Sequence, residues 1–293
     1  MGRHLAAANR RAELAIGAAP WPPNGNRSRP RASRPRARAP SGDGRVKPVE
    51  CLGTATAPDG TVLALYRHDG AYSIRVGGVE LMSTRRHRSE ERLAELACAP
   101  LAHTNGARVL IGGLGLGFTL RAALGVLAAD ARVVVAELVS GVIDWNRTAE
   151  YGLAAEALGD PRVELRHADV ADVLRAGRGA YDAVLLDVDN GAAAFTTAGN
   201  AALYRDAGIR TAAAALRPGG RLAYWAADPE PAFEAALRRA GLAGEAERVR
   251  AYATGGPWHT VYVARERGPD PRPGRPDEGR APGPPARGRS ARA

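Results

Sequence analysis

Three glycines and a series of acids give this chain its chemical character. Gly113, Gly115 and Gly117 lie in RVLIGGLGLGFTL (108–120), where a strand-like apolar run meets a helical pattern. A bare backbone at a strand end admits positive φ and lets a ligand lie against the main chain. The dinucleotide pattern G-x-G-x-x-G would need glycine at 118, where Phe118 stands, so the pyrophosphate reading is weakened. Glu137 ends the second strand-like run, 20 residues after Gly117. An acid there accepts hydrogen bonds from both hydroxyls of a ribose. Asp169 ends the third run and Asp187 the fourth, in YDAVLLDVDN. A single strand-end Asp is as readily a helix cap. The ordered set points to one adenosine-binding crevice, with Asp169 and the backbone N–H after it at the adenine edge, and Asp187 facing the same crevice.

Absences narrow the chemistry. The only lysine is Lys47, which removes a Schiff-base lysine and a phosphate-binding P-loop lysine from the core. The sequence contains no HExxH, GxSxG or CxxC. Cys51 and Cys98 have no metal or redox spacing, so no metal site is expected and a reducing, cytoplasmic setting is.

The elements that must position these residues follow from periodicity. Residues 50–83 alternate apolar and polar side chains, with turn signals at Asp69-Gly70 and Gly77-Gly78; this predicts two or three hairpin-linked strands. SEERLAELACAPLA (89–102) reads as an amphipathic helix with Ser89 as its N-cap. From 107 onward strands and helices alternate, and the runs VVVA and AVLL suit strands buried on both faces. ERVRAYAT and TVYVARE add an antiparallel edge hairpin. The expected architecture is a doubly wound, Rossmann-like α/β sheet of seven strands with a small N-terminal β element. The expected divisions are a tail at 1–47, the β element and linker helix at 48–99, the α/β domain at 100–266 and a tail at 267–293.

Among 293 residues the formal net charge is +10, but residues 1–47 carry +9 and 268–293 carry +3, leaving 48–267 at −2. Both tails are rich in Pro, Arg, Gly, Ala and Ser without apolar period, and are expected to be disordered. The core offers no basic stripe for nucleic acid. Trp145, Trp225 and Trp258 are expected to be packed rather than stacked on bases. LAIGAA near the start is too short and weakly apolar for a secretory segment, and no apolar run is long enough to span a membrane.

VLIGGLGLG (109–117), VVVAEL (133–138), DPRVELRHADV (160–170), YDAVLLDVDN (181–190) and LRPGGRLAYW (216–225) resemble the class I S-adenosylmethionine-dependent methyltransferase superfamily, and within it the spermidine synthase branch. The 77–101 segment is similar to the link between the small β-domain and catalytic domain of spermidine synthases. The resemblance implies S-adenosylmethionine or its decarboxylated form as cofactor. Gly113, Gly115 and Gly117 would line its amino-acid end, Glu137 with Leu138 would hold the ribose, and Asp169 with Val170 the adenine. Asp187 and Asp189 would be catalytic, toward a small-molecule acceptor, with a polyamine among the candidates; a homodimer is left open. The chain departs from that pattern in three places. The acid of the spermidine synthase glycine loop is replaced by Gly115, the DSxDP motif by Asp187-Val188-Asp189-Asn190, and the tyrosine and acids of the linker helix are not evident, Arg92 lying near the tyrosine's place. Methyl and aminopropyl transfer both remain open, as does a non-catalytic nucleoside-binding or scaffolding relative that has lost the polyamine site. The histidines His68, His87, His167 and His259 show no pairing in sequence, and Arg85, Arg86 and Arg88 read as a solvated linker.

Overall fold

The computed structural model describes residues 47–188, 198–252 and 254–267. The expected disordered tails and Asp189 lie outside the described residues. Four short strands come first: β1 (Glu50–Thr56), β2 (Val62–His68), β3 (Ala71–Val76) and β4 (Val79–Ser83). They pair antiparallel in the order β1-β2-β3-β4, one strand beyond the larger number expected. Asp69 and Gly70, both at positive φ, make the β2–β3 turn, and Gly77 and Gly78 the β3–β4 turn, as two-residue hairpin loops require.

Helix α1 (Arg88–Cys98) follows. Its N-cap is His87, and Ser89 lies fully buried inside the first turn; the expected Ser89 cap is thereby corrected. The helix sets Leu93, Ala94 and Ala97 inward at 3.6-residue spacing.

The main sheet comprises β5 (Arg108–Gly112), β6 (Arg132–Glu137), β7 (Val163–His167), β8 (Tyr181–Leu186), β9 (Leu216–Ala226), β10 (Leu242–Tyr252) and β11 (Gly255–Glu266). Their order is β10-β11-β9-β8-β5-β6-β7, and only β11 runs against the others. The connecting helices are α2 (Phe118–Val126), α3 (Ser140–Arg147), α4 (Ala155–Leu158), α5 (Val170–Ala176), α6 (Ala198–Leu203), α7 (Asp206–Ala214) and α8 (Pro231–Arg239). Alternate strand residues enter two separate apolar layers. Val109, Ile111, Val133, Val135 and Leu185 pack with α1, α2 and the small sheet's Leu63, Leu65 and Ile74. Leu110, Val134, Val184, Leu186 and Tyr224 pack with α5, α7 and α8. Chain reversal at the strand order's switch between β5 and β8 leaves the crevice at their carboxyl ends open. Among the described residues no helix is long and apolar enough to cross a membrane.

Candidate active site

At the carboxyl ends of β5, β6, β7 and β8 lies a crevice, the place where ligands bind in open α/β sheets. Its lining contains Gly113, Gly115, Glu137, Leu138, Asp169, Val170 and Asp187. The small sheet supplies the facing apolar wall through Leu63, Ile74, Leu81 and Met82.

Glu137 is only 8% exposed. Its two carboxylate oxygens accept the backbone N–H groups of Leu114 and Val139, each at 2.8 Å. Burial pushes its pKa up, and those N–H groups pull it down. The backbone N–H groups of Gly115 and Leu138 act on the same carboxylate. Asp169 both borders the crevice and caps α5, accepting the Ala171 N–H at 2.8 Å. Capping and a place on the crevice wall therefore coexist in this residue. The Asp187 N–H donates to Gly112 O at 2.9 Å, continuing the β5 edge, and its Oδ2 accepts the buried Thr119 hydroxyl at 2.5 Å.

The glycines divide by role. Gly113 has φ 90°, and a Cβ there would stand 2.3 Å from the Asp187 carbonyl oxygen. Gly115 has φ 53°, and its Cβ would meet Met82 Sδ at 3.0 Å. Gly117 does not line the crevice; it caps α2 and packs against Ala154. Asn146, fully buried, donates to Gly115 O at 2.8 Å and so holds the loop. Sequence reading passed over Thr119 and Asn146 because each sits inside an ordinary helical pattern.

A second pocket adjoins the first and shares Leu81 and Met82 with it. Glu80, Arg86, Glu90, Asp228, Trp258 and His259 lie on its wall. Glu90 was missed: in the SEE run it looks like a solvated charge. Burial, and then the charge of Asp187, push its carboxyl well above the usual carboxylate range. Ser89 Oγ lies 2.5 Å from Glu90 Oε2 and 2.8 Å from His259 Nδ1. Burial holds the His259 imidazole down at about 4, with Arg86 adding to the effect and Asp228 opposing it.

Several other expectations change. Arg85 pairs with Asp69, Arg86 with Glu80 at 2.6 Å and Arg88 with Glu95 at 2.5 Å, so this segment is an ion-pair ladder rather than a solvated linker. His259 is engaged by Ser89, His87 approaches Glu91 at 2.8 Å, and the His167 ring lies 3.0 Å from Leu138 O. Arg92 binds Glu247 of β10 through two nitrogens and does not line either crevice. Trp145 and Trp225 are packed as expected, whereas Trp258 is 40% exposed, with Arg248 and Arg250 over its ring. Among the described residues no group of three or more His, Cys, Asp or Glu is arranged for a metal ion.

The strand order, the glycine turn after β5 and the acids at the ends of β6, β7 and β8 define the class I methyltransferase-like fold. More particularly, the fold is that of the spermidine synthases. A spermidine synthase in complex with the transition state analogue AdoDATO superposes with a TM-score of 0.58 at 20% identity, over 76% of this chain and 74% of that one. The spermidine synthase from Thermotoga maritima gives 0.57 at 20% identity over the same shares. A probable spermidine synthase from Corynebacterium glutamicum gives 0.50 at 17% identity, over 73% of this chain and 79% of that one. No family model matches the sequence, and no curated protein does.

Proposed function

We propose that this chain is a group transferase that binds S-adenosylmethionine or its decarboxylated form and moves a methyl or aminopropyl group to a small acceptor. The supporting observation is the convergence of Glu137, Asp169 and Asp187 on one crevice beside Gly113 and Gly115. The residues present fit the cofactor. An acid bordering the crevice at the end of β6 stands where a ribose would lie, Leu138, Val139 and Val170 offer a dry slot for a purine, and the bare loop admits close approach. The solved neighbour that holds AdoDATO favours the decarboxylated form.

When bound, the sulfonium supplies an alkyl carbon activated for displacement. The chain's own contribution is alignment and charge, and alignment alone is worth on the order of 7–11 kcal/mol in the best intramolecular cases. Glu137 fixes the ribose, Asp169 and the Val170 N–H face the adenine, and Asp187, held by Thr119, presents negative charge toward the cationic end. Asp189 keeps its proposed acceptor-side role behind Asp187.

Calorimetry with S-adenosylmethionine, its decarboxylated form and methylthioadenosine tests the reading. Glu137→Ala is expected to weaken binding of all three by about 1–3 kcal/mol. Asp187→Asn is expected to retain methylthioadenosine binding while turnover falls by about two to four orders of magnitude. If none of the three nucleosides binds, the transferase reading is wrong. If they bind and no acceptor in an amine panel turns over, the non-catalytic nucleoside-binding reading replaces it.

A further inference from the structure

The pocket adjoining the nucleoside crevice has an uneven distribution of charge. We infer that it binds the acceptor as a primary amine with a single ammonium end and an apolar body, which Glu90 holds and deprotonates. The inference rests on the transferase reading above and adds to it the acceptor's class and the group that takes its proton.

Position comes first. Asp187 borders the nucleoside crevice and Glu90 the second pocket. One buried hydroxyl joins their elements: Thr119 Oγ1 lies 2.5 Å from Asp187 Oδ2 and 3.4 Å from the Glu90 carbonyl oxygen. An amine on Glu90 therefore stands at the partition, next to the crevice end that Asp187 faces. No acid reaches this point from the glycine loop, because Gly115 lies against Met82 Sδ. Glu90 brings a carboxyl to the partition from α1, the opposite side.

Charge then limits the acceptor. Glu80 is paired with Arg86 at 2.6 Å and approached by Arg75 at 3.9 Å, so that carboxylate is already compensated. A second ammonium placed there would meet the Arg86 guanidinium. Asp228 is exposed and belongs to the mouth. The space between is bordered by Leu81, Met82, Trp225, Pro257 and Trp258, an apolar and aromatic lining that suits a hydrocarbon or aryl body.

The proton has a route. One ammonium N–H bond breaks, its electron pair stays on nitrogen, and the proton passes to a Glu90 carboxylate oxygen. That nitrogen pair forms the new C–N bond while the donor's C–S pair returns to sulfur. Ser89 Oγ, fully buried, donates to Glu90 Oε2 and lies 2.8 Å from His259 Nδ1, so the carboxyl that takes the proton is held in place. The facing groups agree: Asp187 from β8 and burial favour a protonated Glu90, while Arg86 and the Ser89 hydroxyl on α1 oppose it. On β11 burial keeps His259 neutral and a poor proton acceptor, so the proton stays on Glu90.

The test uses the full chain saturated with methylthioadenosine and titrated calorimetrically with butylamine, phenylethylamine and putrescine near neutral pH. The two monoamines are expected to bind at least as tightly as putrescine, with release of a proton detected as a buffer-dependent enthalpy. In Glu90→Gln the monoamines are expected to bind about tenfold to a hundredfold more weakly and to release no proton, while methylthioadenosine affinity is retained. Putrescine binding about tenfold tighter than both monoamines, unchanged amine affinity or proton release in Glu90→Gln, or binding of methylthioadenosine without any amine would overturn the inference. Failure of methylthioadenosine itself to bind would instead remove the transferase reading on which it rests.

Discussion

At the scale of single residues, environment separates side chains that look alike in sequence. Glu137 and Glu90 are both acids beside apolar runs, and burial raises the pKa of each, yet backbone N–H groups oppose the shift at Glu137, while the neighbouring Asp187 adds to it at Glu90. Glu137 was legible because it closes an apolar strand run at a fixed distance from the glycine turn. Glu90 was not, because its burial depends on α1 docking against β8, β9 and β11, which are distant in the chain. His259 allows the sign of such an effect to be checked. Its imidazole sits at about 4 in the folded protein against an ordinary 6.5. Between those values the unfolded chain takes up a proton that the folded chain refuses, so stability falls as pH drops from 6.5 through about 4. The ring is partly exposed, which reduces the effect to about 1–2 kcal/mol. Urea unfolding at neutral and mildly acidic pH should show wild type losing that much more stability on acidification than His259→Gln. Equal losses in the two proteins would mean that the imidazole titrates normally.

At the scale of elements, the strand-to-helix turns carry the site, and they were the most readable part of the sequence. The runs VLIG, VVVAE and AVLL become β5, β6 and β8 with little shift in their ends, since a strand buried on both faces needs an unbroken apolar run. The turn after β5 is tighter than the glycine pattern alone conveyed. Gly113 combines φ 90° with a carbonyl oxygen where its Cβ would stand, so the bare backbone also serves the β5–β8 packing that places Asp187. Gly113→Ala is expected to cost about 2–4 kcal/mol through strained backbone and the steric conflict. It should also weaken methylthioadenosine binding, because Asp187 must move. Gly125 has open space around it within α2 and no positive φ, so Gly125→Ala serves as the control. Equal stability of the two variants in chemical denaturation would contradict the packing role of Gly113. Helix α1 was legible as an amphipathic helix, but not its partners. Arg88 and Arg92 converge on Glu95 and Glu247, on the side of the helix away from its buried face, which includes Ser89.

At the scale of the whole molecule, the small N-terminal sheet closes the crevice that the large sheet opens. Its role was hidden in the sequence because its strands are short and half-buried; alternation alone shows which side is apolar, not what that side covers. Leu63, Leu65 and Ile74 join the same apolar cluster as Leu93, Val109 and Val133, and Leu63 and Ile74 also face the nucleoside crevice. Gly141 of α3 admits Ala55 of β1 so closely that a Cβ there would stand 2.3 Å away, so the β element is seated on α3 as well. Folding of the two sheets is therefore expected to be one event. Ile74 is 1% exposed, and Ile74→Ala should destabilise the protein by about 2–5 kcal/mol. Unfolding should keep a single transition when followed by far-ultraviolet circular dichroism and by tryptophan fluorescence, because Trp145 packs against Gly53 of the small sheet and reports its release. Two separated transitions, with the fluorescence change preceding loss of the α/β signal, would show instead that the small sheet is an independently folding lid over a self-sufficient domain.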